Sequence, residues 1–439
     1  MRTVVLVWLL LAIPRADAQP AETPRAIVGF TVRGDSKLTN KTAEYLSHYD
    51  LGDPITSEDI PKLVQAFQSS ELFETVVVTL EPAPGGVVVV ATLDDKHSWI
   101  IAPTLFLLPG NTAFGLGFAE NDFQGKNQKI LLYGQLGTRE SLLFGTFLNP
   151  SLDGTPITYR LDLYAYRRNI SEFLNPTNND RDASIARITQ TTYLGGGALV
   201  GYRVNWWLTP DLRVRFAKVT FHNPHASDAA STPLPMPETD GWDVTMQARL
   251  TLDARHHRYG VTWGPYVQAI YDHTIPGLDD YDYSSVLVRA YQSWHFFGEH
   301  QLELRTGFIA GRHLPLHEDV TLGGAGDLRG YAIDRFRGDT RYSARVEYSL
   351  PITKRSIFAF RGIGFWDTGT IGFHSPRTGG DRVYLPSQRE DIDRWRNDVG
   401  LGLRIYVKSI VLPLLGLDFA YGLEARAPEV YFEVGITDF

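Results

Sequence analysis

The chain has 439 residues, no cysteine, 12% aromatic residues and a formal net charge of −8. The absence of cysteine excludes disulfide scaffolds and thiolate metal sites. The acidic balance argues against a nucleic-acid binder, which would carry a basic stripe.

The chain opens MRTVVLVWLLLAIPRADA, with Arg2 ahead of an apolar run from Val4 to Ile13 and Ala16-Asp17-Ala18 as a small-x-small cleavage site. Residues 1–18 thus read as a secretory signal, too short for a spanning helix, and 19–24 as a linker. No later run reaches the roughly 18 apolar residues of a transmembrane helix. A closed barrel can still cross a membrane, because closure satisfies every backbone group.

Residues 25–95 read as a small α+β domain. Ala26–Val32 has strand character, Thr39 suits the cap of a helix through about Ser47, and Ser57, Glu58 and Asp59 open a second helix. That helix repeats Ile60, Leu63, Val64 and Phe67 at helical spacing, and strands Thr75–Glu81 and Val87–Asp94 follow. With Leu72-Phe73-Glu74-Thr75-Val76 at its step into the sheet, the segment resembles a POTRA domain. The resemblance implies capture of extended client segments on an exposed sheet edge.

From 96 to 439 the period changes to two. Trp242, Val244, Met246, Ala248, Leu250 and Leu252 alternate with Asp243, Thr245, Gln247, Arg249 and Thr251. Ile157–Leu163 and Tyr342–Leu350 do the same, as half-buried strands should. Short links at Gln124–Asn127, Val204–Pro210, Phe297–His300 and Pro351–Arg355 take turns with long polar ones at Arg168–Thr189, Phe221–Asp240, Arg312–Thr340 and Gly369–Trp395. The expected fold is therefore an all-β transmembrane barrel of about 16 antiparallel strands behind one small α+β domain.

Several motifs in order resemble the BamA/TamA superfamily of outer-membrane assembly and translocation proteins, the bacterial surface antigen family. They are Leu328-Arg329-Gly330-Tyr331, Asn121–Gln128 after the second barrel strand, Asp253-Ala254-Arg255 with Gly260 ahead of the ninth, Phe365–Gly369 ending the thirteenth, and Gly400–Arg404 in the fourteenth. The resemblance implies residence in the outer membrane of a Gram-negative bacterium, with the small domain in the periplasm. Its partners would be unfolded outer-membrane or secreted client proteins, outer-membrane lipid and periplasmic accessory proteins, with no nucleic acid. Two-partner secretion of a dedicated substrate is an alternative, as is a passive pore or surface receptor.

Parity gives Arg329 a destination. If the apolar face meets lipid, Glu347 and Asp367 point into the lumen on adjacent strands, and the loop of Arg329 joins strands eleven and twelve. A guanidinium between two carboxylates forms charge-assisted bonds, so Arg329 with Asp367 and Glu347 is expected to lock the loop inside the barrel. Gly324, Gly326 and Gly330 would let the backbone lie against the wall. The spacing of these glycines is wrong for a dinucleotide fingerprint, and Arg337-Gly338-Asp339 is an adhesion tripeptide of the kind that recurs by chance. At the barrel seam, Pro103 of the first strand lacks an amide donor, and the last strand, Val430–Phe439, carries Phe432 and ends on Phe439. The frame set by Val430, Phe432, Val434 and Ile436 leaves Phe439 out by one. No G-x-S-x-G elbow occurs; adjacent His256 and His257 would point to opposite faces of a strand, and they fall in an expected periplasmic turn, where solvated histidine is ordinary. Neither enzyme activity nor a cofactor or metal is expected.

Overall fold

The computed structural model describes residues 22–173, 185–226, 234–258, 261–355, 358–374, 394–407 and 410–434. The expected signal segment 1–18, Gly260 and Phe439 lie outside them.

The N-terminal domain runs β1 (Arg25–Arg33), α1 (Asn40–Ser47), β2 (Pro54–Ile55), α2 (Ile60–Ser69), β3 (Phe73–Ala83) and β4 (Gly86–Asp95). Thr39 caps α1, its side chain accepting from the Thr42 amide at 3.1 Å. Asp59 closes a capping box with Thr56 ahead of α2. The helices bury Leu46, Leu63 and Phe67 against Ile27, Val87, Val89 and Leu93 of the sheet. The sheet order is β2-β1-β4-β3, with β1 and β4 parallel, so β3 stands at an edge.

The barrel begins with β5 (Trp99–Leu108), β6 (Asn111–Phe123), β7 (Gln128–Gly137) and β8 (Glu140–Asn149). It continues through β9 (Ile157–Phe173), β10 (Ile185–Tyr202), β11 (Leu208–His225) and β12 (Gly241–Asp253). A short segment, β13 (His256–Arg258), precedes β14 (Val261–Thr274), β15 (Ser284–Phe296) and β16 (His300–Arg312). Two short strands, β17 (Val320–Leu322) and β18 (Phe336–Gly338), form a hairpin inside the following loop. The wall ends with β19 (Thr340–Arg355), β20 (Phe358–Gly372), β21 (Arg396–Val407), β22 (Ile410–Gly422) and β23 (Ala427–Val434). The ring is closed, antiparallel and 16-stranded once β13 is set aside as part of a link.

Burial decides what surrounds it. On β9, Leu161 and Leu163 are 52% and 69% exposed, while Asp162 between them is 3% exposed. Leu136, Leu143 and Leu401 are likewise exposed. Each such leucine left in water forgoes about 1.5–3 kcal/mol, so a wall of them is a lipid-facing wall.

Three local expectations differ from the structure. Pro351–Arg355 is not a link: β19 runs through it to Arg355 with a register shift between Pro351 and Thr353, which accommodates the missing amide donor. The connections at the long-loop end are not uniformly long, because 109–110 and 138–139 are tight hairpin turns. His256 is no solvated turn residue; its ring packs between Trp206 at 6.1 Å and Trp263 at 5.7 Å.

The small domain docks on the short-link end. The Thr39 amide donates to the Gly125 carbonyl at 3.1 Å. Arg203, in the β10–β11 link, donates to the Tyr45 carbonyl at 2.9 Å, and its guanidinium lies 3.9 Å over the Tyr45 ring. His48 stacks on Trp206 at 5.3 Å. Burial in this contact, with the Arg203 and His256 charges nearby, lowers the His48 pKa to about 4. Docking therefore favours neutral His48; it is in full force above pH ~6.5 and weakens as pH falls toward 4. His48 keeps an exposed side, so the loss is modest. The protection factor of α1, exchange corrected for the intrinsic amide rate at each pH, should fall on acidification from pH 7.5 to 5, and His48→Phe, which keeps the stack, should remove that dependence. Equal protection factors at both pH values would contradict this coupling.

Candidate functional site

The loop 313–339, between β16 and β19, folds back into the lumen. Its core of Leu314, Leu316, Val320, Leu322, Leu328, Tyr331 and Phe336 is buried together with Ile371 of the wall. Its tip holds Arg329, which is 1% exposed. Arg329 Nε donates to Asp367 Oδ2 at 2.8 Å and Nη2 to Asp367 Oδ1 at 3.0 Å, a bidentate pair. Nη1 donates to Glu347 Oε2 and to Asp418 Oδ2, both at 3.2 Å. The guanidinium carbon lies 3.3 Å from the centre of the Phe365 ring, which fixes its plane. The three expected partners thus meet: a loop arginine and two carboxylates from adjacent strands.

Gly330 explains why the chain can come so close. Its amide donates to Asp398 Oδ2 at 2.9 Å, and a Cβ there would stand 2.5 Å from the Asp398 Cβ and 2.6 Å from the Gly422 nitrogen. Gly324 turns with φ 98°, its amide shared between the Leu328 and Tyr331 carbonyls at 3.0 Å. Gly326 differs from expectation: space is open where its side chain would stand, and its φ is not positive. Its neighbours Ala325 and Asp327 are held by Arg345 and Arg341 of the wall, and the close backbone approach belongs to Gly330.

Sequence reasoning missed half of the constellation. Arg345 donates to Asp367 Oδ1 at 2.9 Å and to the Ala325 carbonyl at 2.9 Å, bracing the same carboxylate and the loop. Arg404 holds Asp418 at 2.6 Å. Tyr331 donates to Glu424 at 2.5 Å, and Tyr431 of β23 donates to the Tyr331 carbonyl at 3.0 Å. Arg345 and Phe365 share the inward parity of Glu347 and Asp367; parity alone puts Arg345 on the inward face beside Glu347 but does not pair it with Asp367. Asp398 stands directly opposite Asp367 on the next strand, and Asp418 and Tyr431 face each other on β22 and β23, so the curvature of consecutive strands brings them to the loop.

The loop is also braced on the opposite wall. Asp334 accepts from Arg139 at 2.6 Å and from Arg168 of β9. Glu318 pairs with Arg215 of β11 at 3.0 Å, and His317 Nε2 lies 3.2 Å from Asp243 of β12. Asp243, His317 and Glu318 offer ligand atoms within 4.8 Å of one another. Arg215 is already bonded to both carboxylates, at 3.1 Å and 3.0 Å, and supplies the positive charge a cation would bring.

At the seam, Phe432, Glu433 and Val434 of β23 pair with Leu107, Phe106 and Leu105 of β5. Phe432 therefore sits at the junction as expected. Pro103 pairs with Leu116 on β6, and its seam-side neighbour falls beyond Val434, outside the described residues, as does Phe439.

Comparison with known proteins agrees with this architecture. The BamA of Haemophilus ducreyi lacking POTRA domains 1–3 is 14% identical, with a TM-score of 0.54 over 93% of this chain and 84% of that one. CdiB of Acinetobacter baumannii is 12% identical with a TM-score of 0.58, over 93% of this chain and 74% of that one. CdiB of Escherichia coli is 11% identical with a TM-score of 0.56, over 97% and 92%. At such identities the likeness is one of fold. No curated protein sequence matches significantly. The model of the Omp85 superfamily domain matches residues 122–437, most of the barrel and all of the lumenal loop, and the chain belongs to the Omp85 superfamily.

Proposed function

We propose that the protein inserts or translocates client polypeptides at the outer membrane of a Gram-negative bacterium, with its small domain in the periplasm. In this reading residues 25–95 capture extended clients on the edge of β3, and the barrel of residues 96–439 receives them at the β23–β5 junction. The observation that carries it is the seam: the last strand, β23, closes the ring on the first, β5, through Phe432, Glu433 and Val434, and no hairpin joins the two. A junction of first and last strands can part without breaking a chain connection, and an opened edge offers unpaired amides and carbonyls to an incoming strand. Folding of the client into paired strands would drive the reaction. Secretion of a dedicated substrate is the second reading, favoured by the likeness to CdiB in fold.

The chain has no cysteine, so a Leu107→Cys, Phe432→Cys pair is free of competing thiols. Opposed residues of an antiparallel pair stand about 4.5–5.5 Å apart, within disulfide range. The oxidised double variant should lose client insertion and regain it on reduction. Insertion that proceeds unchanged with the bridge closed would overturn the seam mechanism, and secretion surviving the bridge would select the second reading.

In the same reading Arg329, Asp367 and Glu347 lock the loop against the β19–β20 wall. Arg329→Ala strands buried carboxylates and should destabilise the lumenal fold by about 3–5 kcal/mol. Arg329→Lys keeps the charge but loses the bidentate fork and should fall between. Protease cutting within 313–339 and the thermal unfolding midpoint measure both effects; wild-type resistance in the alanine variant would refute the lock.

A further inference from the structure

The inward face of the barrel is mostly charged, but not everywhere. On β8 and β9, Leu142 and Phe144 face inward opposite Tyr166 and Tyr164 in direct register. Together with Tyr193 of β10 they line a cavity of about 320 Å³, closed on the loop side by His317 and Glu318. Tyr166 and Tyr193 stand edge to face at 6.0 Å, the arrangement that leaves ring faces for a further ring. The wall is low beside them, because the residue opposite Tyr164 on β10 is Gly195. Volume and aromatic lining both fall in the range of ligand pockets.

The charges at the rim are paired with one another. Arg213 is paired with Asp162 at 2.9 Å, Arg215 with Asp243 and Glu318, and Arg168 with Asp334. Each guanidinium already faces a carboxylate. The buried atoms that the lining leaves without a protein partner are the hydroxyls of Tyr164 and Thr191 together with Arg168 Nε, Arg213 Nε and His317 Nδ1, and such groups cost about 1–3 kcal/mol until a carbonyl or hydroxyl meets them.

We propose that this lumenal cavity is a receptor for a neutral aromatic side chain carried on an extended polypeptide, whose backbone passes the Tyr164 and Thr191 hydroxyls. The proposal rests on the reading of the protein as a client-handling barrel and names the client feature it holds. A strand bound for lipid alternates apolar with polar residues and carries aromatic rings where it meets the membrane interfaces. The cavity lies on the β8–β10 wall, away from Arg329, so a client ring can be held while the Asp367 pair stays made.

The test uses the full chain in lipid nanodiscs and fluorescein-labelled decapeptides of alternating serine and threonine, one with a central tyrosine and its twin with alanine. The tyrosine peptide should bind at least about tenfold tighter, the worth of one buried ring. Leu142→Trp, which fills the cavity, should abolish the difference, and Phe144→Ala, which removes a wall, should shrink it if the first variant fails to fold. Equal affinity of the two peptides for the wild type would overturn the aromatic receptor while leaving peptide handling intact. L-tyrosinamide binding without either peptide would overturn the polypeptide occupant and count against the client-handling reading as well.

Discussion

A sheet that crosses lipid has to pair every backbone group within itself, and here it does so by closing on its own first strand. Closure fixes parity around the whole ring. One residue in two faces hydrocarbon, and the alternate residue faces a lumen from which it cannot escape. The charged side chains excluded from lipid therefore converge on the inside, where Asp162, Asp243, Asp367 and Asp398 are all buried. A lumen lined this way needs counter-charges, and the wall supplies some of them itself through Arg213, Arg215, Arg345 and Arg404. The loop supplies the rest.

That loop is held for position more than for stability. A buried ion pair gains little over an apolar replacement of the same shape, because desolvation cancels most of the Coulomb attraction. What it gains is direction. The planar fork of Arg329 fits Asp367 in one orientation, Phe365 fixes the plane, and Gly330 admits no side chain between loop and wall. Asp334 and the His317-Glu318 turn brace the same loop against β9, β11 and β12, so it spans the lumen from wall to wall. The two braces differ in quality. Every guanidinium nitrogen of Arg329 has an acceptor, while the far side keeps a cavity and unpartnered hydroxyls.

Much of this was legible in the sequence because it depends on period alone. Alternation in Trp242–Leu252 and Tyr342–Leu350 gives strands, their inward faces and hence the meeting of Arg329 with Glu347 and Asp367. Strand ends were less legible: polar alternation continues past the membrane in β9 and β10, so the pairing extends to Phe173 and Ile185 where a loop was expected. The far brace was not legible. Asp243 and His317 are distant in sequence, and nothing local to either predicts the other. Asp418 and Tyr431, in direct register on β22 and β23, reach Arg329 and Tyr331 through the curvature of the wall, which the period of the sequence does not give. Gly326 shows the opposite limit, a residue whose type suggested a role that its open surroundings do not require.

The geometry also ties the seam to the lock. Tyr431 lies on β23, one residue from Phe432 at the junction, and its hydroxyl holds the Tyr331 carbonyl. Tyr331 stands two residues from Arg329, and Glu424, in the turn leading into β23, holds the Tyr331 hydroxyl. A β23 that swings away from β5 therefore pulls on the loop at Tyr331 before any contact of Arg329 is stretched. The reverse also follows: a loop seated on Asp367 steadies the strand that would have to move. In the proposed seam mechanism, opening of the edge and release of the loop would be linked through two tyrosine hydroxyls.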